Sequence, residues 1–361
     1  MSTPEDTPKH ARHPDAGKLP REVLTDPSRR SIAVLVLGAL AIAWAANFVA
    51  MKVLEASPQN LGYSTTQAAW NRLETQDESP DWLVLGDSGC GQAIVTETLE
   101  EALGGPVVEV CTIGNMGLLD DAWMLGIHIE RFGPPGAVLI VHVYDVWQRT
   151  LPPPGLLAQV PLPLGYWRRL KPILDLDRRQ SVDVFMARHV PLVGERRSLK
   201  NLVKTNAARA VSLVRGARNE SQVPDVSSDT ASVVRDFRRH RAYASSTRFT
   251  ISPTNLEALD TIVELADEHG FEVYIANGPL WDTLVADAAF QRYNAEVQAA
   301  LAVYANRRPS VHHIDGVMTF DVHAMTGTVD HVRPEPAIAY SRDLARRIAM
   351  LRAGRANDYG R

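Results

Sequence analysis

The chain has 361 residues, 45% of them hydrophobic, enough for one large domain or two small ones with a proper core. A formal net charge of -4 offers no concentrated basic surface, so no nucleic-acid partner is expected. Two cysteines can make neither a disulfide scaffold nor a four-ligand zinc site, and no metal or organic cofactor is indicated.

Residues 1–30 are rich in Pro, Lys, Arg, Asp and Thr and read as a disordered tail. The stretch 31–51, "SIAVLVLGALAIAWAANFVAM", carries no charge, and as a helix it would be roughly 31 Å long, about the thickness of a bilayer's hydrocarbon core. A transmembrane signal-anchor is therefore expected over 31–52. Lys18, Arg21, Arg29 and Arg30 precede it and only Lys52 closely follows, which places the N-terminus in the cytoplasm and the remainder outside. Ala43-Trp44-Ala45 has the small-x-small form of a processing site, so a cleaved signal peptide is the alternative. Residues 53–79 are polar and read as a stalk or lead-in helix, with a folded domain expected over 80–355.

Within that domain strands and helices alternate. "WLVLG" at 82–86, "VVEVC" at 107–111 and "AVLIVHV" at 137–143 read as buried strands, with helices "QAIVTETLEEAL" and "LLDDAWMLGIHIERF" between them. Continuous apolar strands between helices imply a parallel sheet covered on both faces. The pattern resumes near 254, where Thr254 and Glu257 suggest a capping box for a helix that Gly270 ends. The strand "FEVYIAN", a helix over roughly 286–305, the strand "VHHID" and a last helix from near Pro336 complete the domain. That last helix should bury Tyr340, Leu344, Ile348 and Leu351. Between the halves lies an irregular insertion, about 150–250, with Pro-rich segments and a basic helical stretch. Arg196, Arg197, Lys200, Lys204, Arg209, Arg215 and Arg218 there form either a solvated face or a surface toward anionic headgroups.

Reactive groups in an open α/β sheet gather at the carboxyl ends of its strands. The first end presents Asp87 and Ser88, the second Thr112 to Gly117, the third Tyr144 and Asp145, and the loop before the last helix Asp330 and His331. A serine, glycines and a histidine so placed supply a nucleophile, backbone oxyanion donors and a general base. Ser88 could instead cap a helix beginning near Gly91, and Asp87 reads as an organiser of the turn. His312 and His313, adjacent on a strand, point to opposite faces and argue against a shared metal site. His128 and His142 read as core or helix-face residues. Cys90 follows the first strand and Cys111 ends the second, so an exported domain could join them beside the nucleophile; two buried free thiols are the alternative.

Gly86-Asp87-Ser88, "VCTIGNMG" at 110–117 and "DHVRPEPA" at 330–337, in that order, resemble the blocks of the SGNH, or GDSL-like, hydrolase superfamily. The resemblance covers roughly 82–352, leaving the insertion aside, and implies a three-layer α/β/α sandwich with a mainly parallel, flavodoxin-like sheet. It implies Ser88 as nucleophile, His331 as base and Gly117 as an oxyanion donor. The chain departs from the pattern in three places. Thr328 stands three residues before the histidine, where the family's triad aspartate usually sits, and Asp330 directly precedes it. Thr112 replaces a common asparagine. The third block reads "HVYDVW" without the family's oxyanion asparagine, leaving Asn115 or Tyr144 as substitute donors.

By resemblance, membrane-anchored members modify bacterial cell-envelope polysaccharides. The expected protein is thus a single-pass inner-membrane esterase or O-acyltransferase with a periplasmic domain, acting on acetyl or other acyl esters of glycans. Its expected partners are the bilayer, the glycan substrate and other envelope proteins. A noncatalytic scaffold holding glycan or a protein partner, and a tethered lipase with the Pro-rich 150–166 stretch as lid, are the competing expectations.

Overall fold

A computed structural model describes residues 27–56, single positions between 69 and 76, the stretches 78–112, 117–149 and 176–194, scattered positions up to 204, and 226–358. The chain divides into two compact units, Met1–Glu55 and Ala56–Arg361. The described part of the first is helix α1, Pro27–Ala56. Its Ser31–Val53 segment has a mean hydropathy of 2.3 and is long and apolar enough to cross a membrane.

The second unit is built on a five-stranded parallel sheet. In chain order its elements are β1 (Trp82–Gly86), α2 (Ser88–Ala93), α3 (Thr96–Leu103), β2 (Val107–Glu109), α4 (Leu118–Phe132), β3 (Ala137–His142), α5 (Arg178–His189), α6 (Val226–Ser246), α7 (Pro253–His269), β4 (Glu272–Asn277), β5 (Leu280–Trp281), α8 (Asp282–Ala286), α9 (Ala288–Ala305), β6 (Val311–Ile314), β7 (Thr319–Phe320) and α10 (Pro334–Asp358). The strand order is β2-β1-β3-β4-β6, and β5 and β7 form a separate parallel pair. Every residue of β1 and β3 is buried, the pattern of strands covered on both faces. Helix α4 lies against α7, while α2 and α3 lie against α10. The result is the three-layer α/β/α arrangement expected of the sequence.

Several boundaries differ from expectation for local reasons. Helix α7 is capped by Ser252, which accepts a hydrogen bond from Asn255 N at 3.3 Å, and not by a Thr254–Glu257 box. Pro253, with its fixed φ and missing N–H, suits the first helical position and pulls the cap onto the residue before it. Asp287 accepts from the amides of Ala289 and Phe290 and so caps α9 at Ala288–Ala305, two residues inside the helix expected over roughly 286–305, while the short α8 precedes it. Strand β2 ends at Glu109, whose carboxylate takes the Cys111 N–H at 2.7 Å. Ala69 and Leu73, in the segment expected as a stalk, are fully buried in the core. Of the insertion, α5 and α6 are described, and Arg196, Lys200 and Lys204 are exposed; Arg197, Arg209, Arg215, Arg218 and the Pro-rich 150–166 stretch lie outside the described residues.

Candidate active site

The first strand delivers its serine through a turn that only glycine fits. A Cβ on Gly86 would fall 2.0 Å from Val141 O and 2.7 Å from Cys90 Cβ, so β1 can approach β3 and α2 this closely only without a side chain. Asp87 then caps α2. Its Oδ1 accepts from Gly89 N at 2.7 Å and Cys90 N at 3.2 Å, and its Oδ2 accepts from Val143 N at 2.9 Å. One buried carboxylate therefore ties the turn to the residue after β3, leaving Ser88, the first residue of α2, half-buried at the sheet's carboxyl edge. Asp87, not Ser88, is the helix cap.

His331 comes from the other end of the chain. Its loop is closed by an antiparallel bridge between Met325 and Val332 and by Thr326 N donating to His331 O at 2.9 Å. Val329 anchors the loop: its N–H donates to Asp236 Oδ2 on α6 at 3.1 Å, and its carbonyl accepts from Trp281 N at 2.8 Å. This brings His331 Nε2 to 3.0 Å from Ser88 Oγ, a hydrogen bond between residues 243 positions apart. Asp330 Oδ1 lies 4.0 Å from that same Nε2, so it does not occupy the side of the ring where an orienting acid would stand. Among the described residues no carboxylate meets Nδ1, and Thr328 supplies none. Burial pushes the Asp330 carboxyl above its usual range.

Gly117 precedes α4 with φ +74°, and a Cβ there would sit 2.4 Å from Asn255 Oδ1. Asn255 was not foreseen. Its Oδ1 accepts from Leu118 N at 3.2 Å and its Nδ2 donates to Val146 O and Trp147 O at 2.8 and 3.0 Å, so it joins the start of α4 to the turn after β3. Its only sequence signal is a place in the first turn of α7. The N–H groups of Ser88 and Gly117 make no hydrogen bond among the described residues, whereas those of Gly89, Cys90 and Leu118 are taken. Asn115 lies outside the described residues. The Tyr144 hydroxyl is engaged by His240 Nδ1, and its ring stands edge-on to Phe290 and Tyr293.

Cys90 and Cys111 form a disulfide with their Cα atoms 6.0 Å apart, linking α2 to the chain just beyond β2. His142, expected as a core residue, is buried but ion-paired: Nε2 is 2.6 Å from Asp121 Oδ2 and Nδ1 is 3.6 Å from Asp87 Oδ2. His128 meets Ser79 Oγ at 3.1 Å, and burial lowers its pKa to about 4. His312 turns to Glu272, 3.2 Å away. No cluster of three or more metal-ligating side chains occurs among the described residues.

No protein-family model matches the sequence, and no curated protein matches it. A solved structure described as a "putative platelet activating factor" from Streptococcus pneumonia shares 13% identity with the chain and covers 85% of it and 99% of its own length, at a TM-score of 0.33. A likeness this low names neither a family nor a reaction.

Proposed function

We propose that the protein is a membrane-anchored serine esterase or O-acyltransferase of SGNH type, acting on acyl esters, foremost acetyl groups, of cell-envelope glycans. The observation that carries this reading is the 3.0 Å contact between Ser88 Oγ and His331 Nε2. Ser88 Oγ attacks the ester carbonyl while His331 Nε2 takes its proton; the C–O bond to the alcohol then breaks, and the imidazolium returns the proton to the leaving oxygen. The N–H groups of Ser88 and Gly117, both without partners among the described residues, are the donors assigned to the oxyanion. Water attacking the acyl-serine, with His331 again as base, completes hydrolysis; a sugar hydroxyl in its place completes transfer. Helix α1 is assigned to the inner membrane, with the tail cytoplasmic and the second unit periplasmic, and envelope proteins remain proposed partners.

That no carboxylate among the described residues meets His331 Nδ1 favours one second reading, a noncatalytic glycan-holding relative. A fluorophosphonate probe separates the two. The first reading expects covalent labelling of the full chain that disappears in Ser88→Ala and falls at least about a hundredfold in His331→Ala; no labelling of the wild type leaves the scaffold. A series of nitrophenyl esters of increasing acyl length then distinguishes an acetyl-ester enzyme from a lipase.

A further inference from the structure

Behind the nucleophile turn lies a set of buried charges that the ester chemistry does not use. His142, the last residue of β3, is fully buried and faces a carboxylate oxygen from each ring nitrogen, Asp121 on α4 and Asp87 at the nucleophile turn. Nε2 hydrogen-bonds Asp121 at 2.6 Å, while Nδ1 stands 3.6 Å from Asp87 at ion-pair distance, and two carboxylates so close on either side favour the imidazolium by their charge. Other charged groups bear on this ring from the neighbouring elements. Asp120, beside Asp121 on α4, receives the Thr112 hydroxyl at 2.5 Å, and Arg149 acts on Asp87 from the segment after β3. The Trp147 ring stands edge-on at 5.4 Å, its Nε1 donating to Asn277, the register partner of His142 on β4.

Burial disfavours a charged imidazole, yet the charge and hydrogen bond of Asp121 and the nearby charge of Asp87 outweigh it and raise its pKa to about 10. In return the cation keeps Asp87 ionised against its own burial. That ionised state matters for geometry, because Asp87 uses both oxygens as acceptors for three backbone amides around Ser88 and Val143. Without the cation, two buried carboxylates lack their counter-charge and one must take up a proton or admit water. The turn then loosens, and a displacement of about 1 Å in a nucleophile can cost about a hundredfold in rate.

We infer that His142 is a positioning residue: held as a cation between Asp87 and Asp121, it fixes the turn that carries Ser88 in the geometry that faces His331. This rests on the reading of Ser88 as a nucleophile.

The test uses the full chain in detergent micelles, with wild type, Ser88→Ala, His142→Gln and His142→Ala, and circular dichroism to report the folded fraction. With p-nitrophenyl acetate at pH 7.5, His142→Gln is expected to lower kcat by about 10- to 100-fold while KM changes by less than about twofold. The rate of wild-type labelling by a fluorophosphonate should decline as the pH rises toward about 10, and that decline should be missing from the variants. Losses that track only the unfolded fraction overturn the inference, as does a wild-type labelling rate that stays level through pH 10, a result that needs no variant to fold. Labelling that depends on Ser88 but proceeds at the wild-type rate in His142→Gln overturns this inference alone. A wild type that does not label at Ser88 overturns the esterase reading and this one with it.

Discussion

Asp330 sits next to the histidine in sequence and beside it in space, yet on the wrong side for an orienting acid. Its Oδ1 is 4.0 Å from Nε2, the nitrogen already bonded to Ser88 Oγ, and burial favours its protonated form. An acid that fixes the imidazole tautomer has to reach Nδ1, and losing such a group costs about 10⁴ in kcat. Asp330→Asn is therefore expected to reduce kcat for an acetyl ester by less than about tenfold at pH 8. A loss of a thousandfold or more would restore Asp330 to the role of triad acid. Gly117 stands at the opposite extreme, since its positive φ and the Asn255 oxygen in its Cβ position independently exclude a side chain. "VCTIGNMG" pointed to this glycine but could not reveal the asparagine across from it, 138 positions on.

At the scale of elements, the helix α2 that carries Ser88 is only six residues long, too short to hold itself in place. Beside its packing against α10, it is held by the Asp87 cap, the Gly86 contact with β3, and the bond from Cys90 to Cys111. The last closes a loop of 21 residues, for which the chain-entropy account gives about 3 kcal/mol of stabilisation. Denatured, unreduced protein should accordingly take up no alkylating agent and two equivalents after reduction. Cys90→Ser with Cys111→Ser should lower the unfolding free energy by about that amount. Two alkylatable thiols without reductant would remove the bridge. The elements themselves were largely legible, because β1, β3 and β4 are continuous apolar runs that only a sheet covered on both faces can bury. Helix ends were less so, since several side chains compete to cap them: Pro253 moved one cap to Ser252, and Asp287 set the start of α9 two residues inside the expected range.

Across the whole molecule, the Ser88 and His331 pair was legible because strand ends in a doubly wound sheet converge on one edge, so two short blocks at known ends imply a meeting. The supporting pairs were not. Asp121 with His142, His240 with Tyr144, and Asn255 with Leu118 join elements at separations of 21, 96 and 137 that no periodicity encodes, and the insertion that supplies α6 has no pattern of its own. The buried charges among them also govern how the fold responds to pH. His142 has a folded pKa raised to about 10 from 6.5, so its contribution is complete below about pH 6.5 and drains away as the pH climbs toward 10, where the unfolded chain has already released the proton. Asp120, raised to about 7, acts in the same direction but only up to about pH 7. His128, lowered to about 4, acts oppositely, and only below about 6.5. Between pH 7 and 9.5 the His142 proton therefore dominates these three, and the unfolding free energy should fall by up to about 1.4 kcal/mol per pH unit. Denaturant unfolding at half-unit steps across that window measures the slope directly. His142→Gln should flatten it, whereas a wild-type stability that is level or rising from pH 7 to 9.5 would mean that the ring enters the core uncharged.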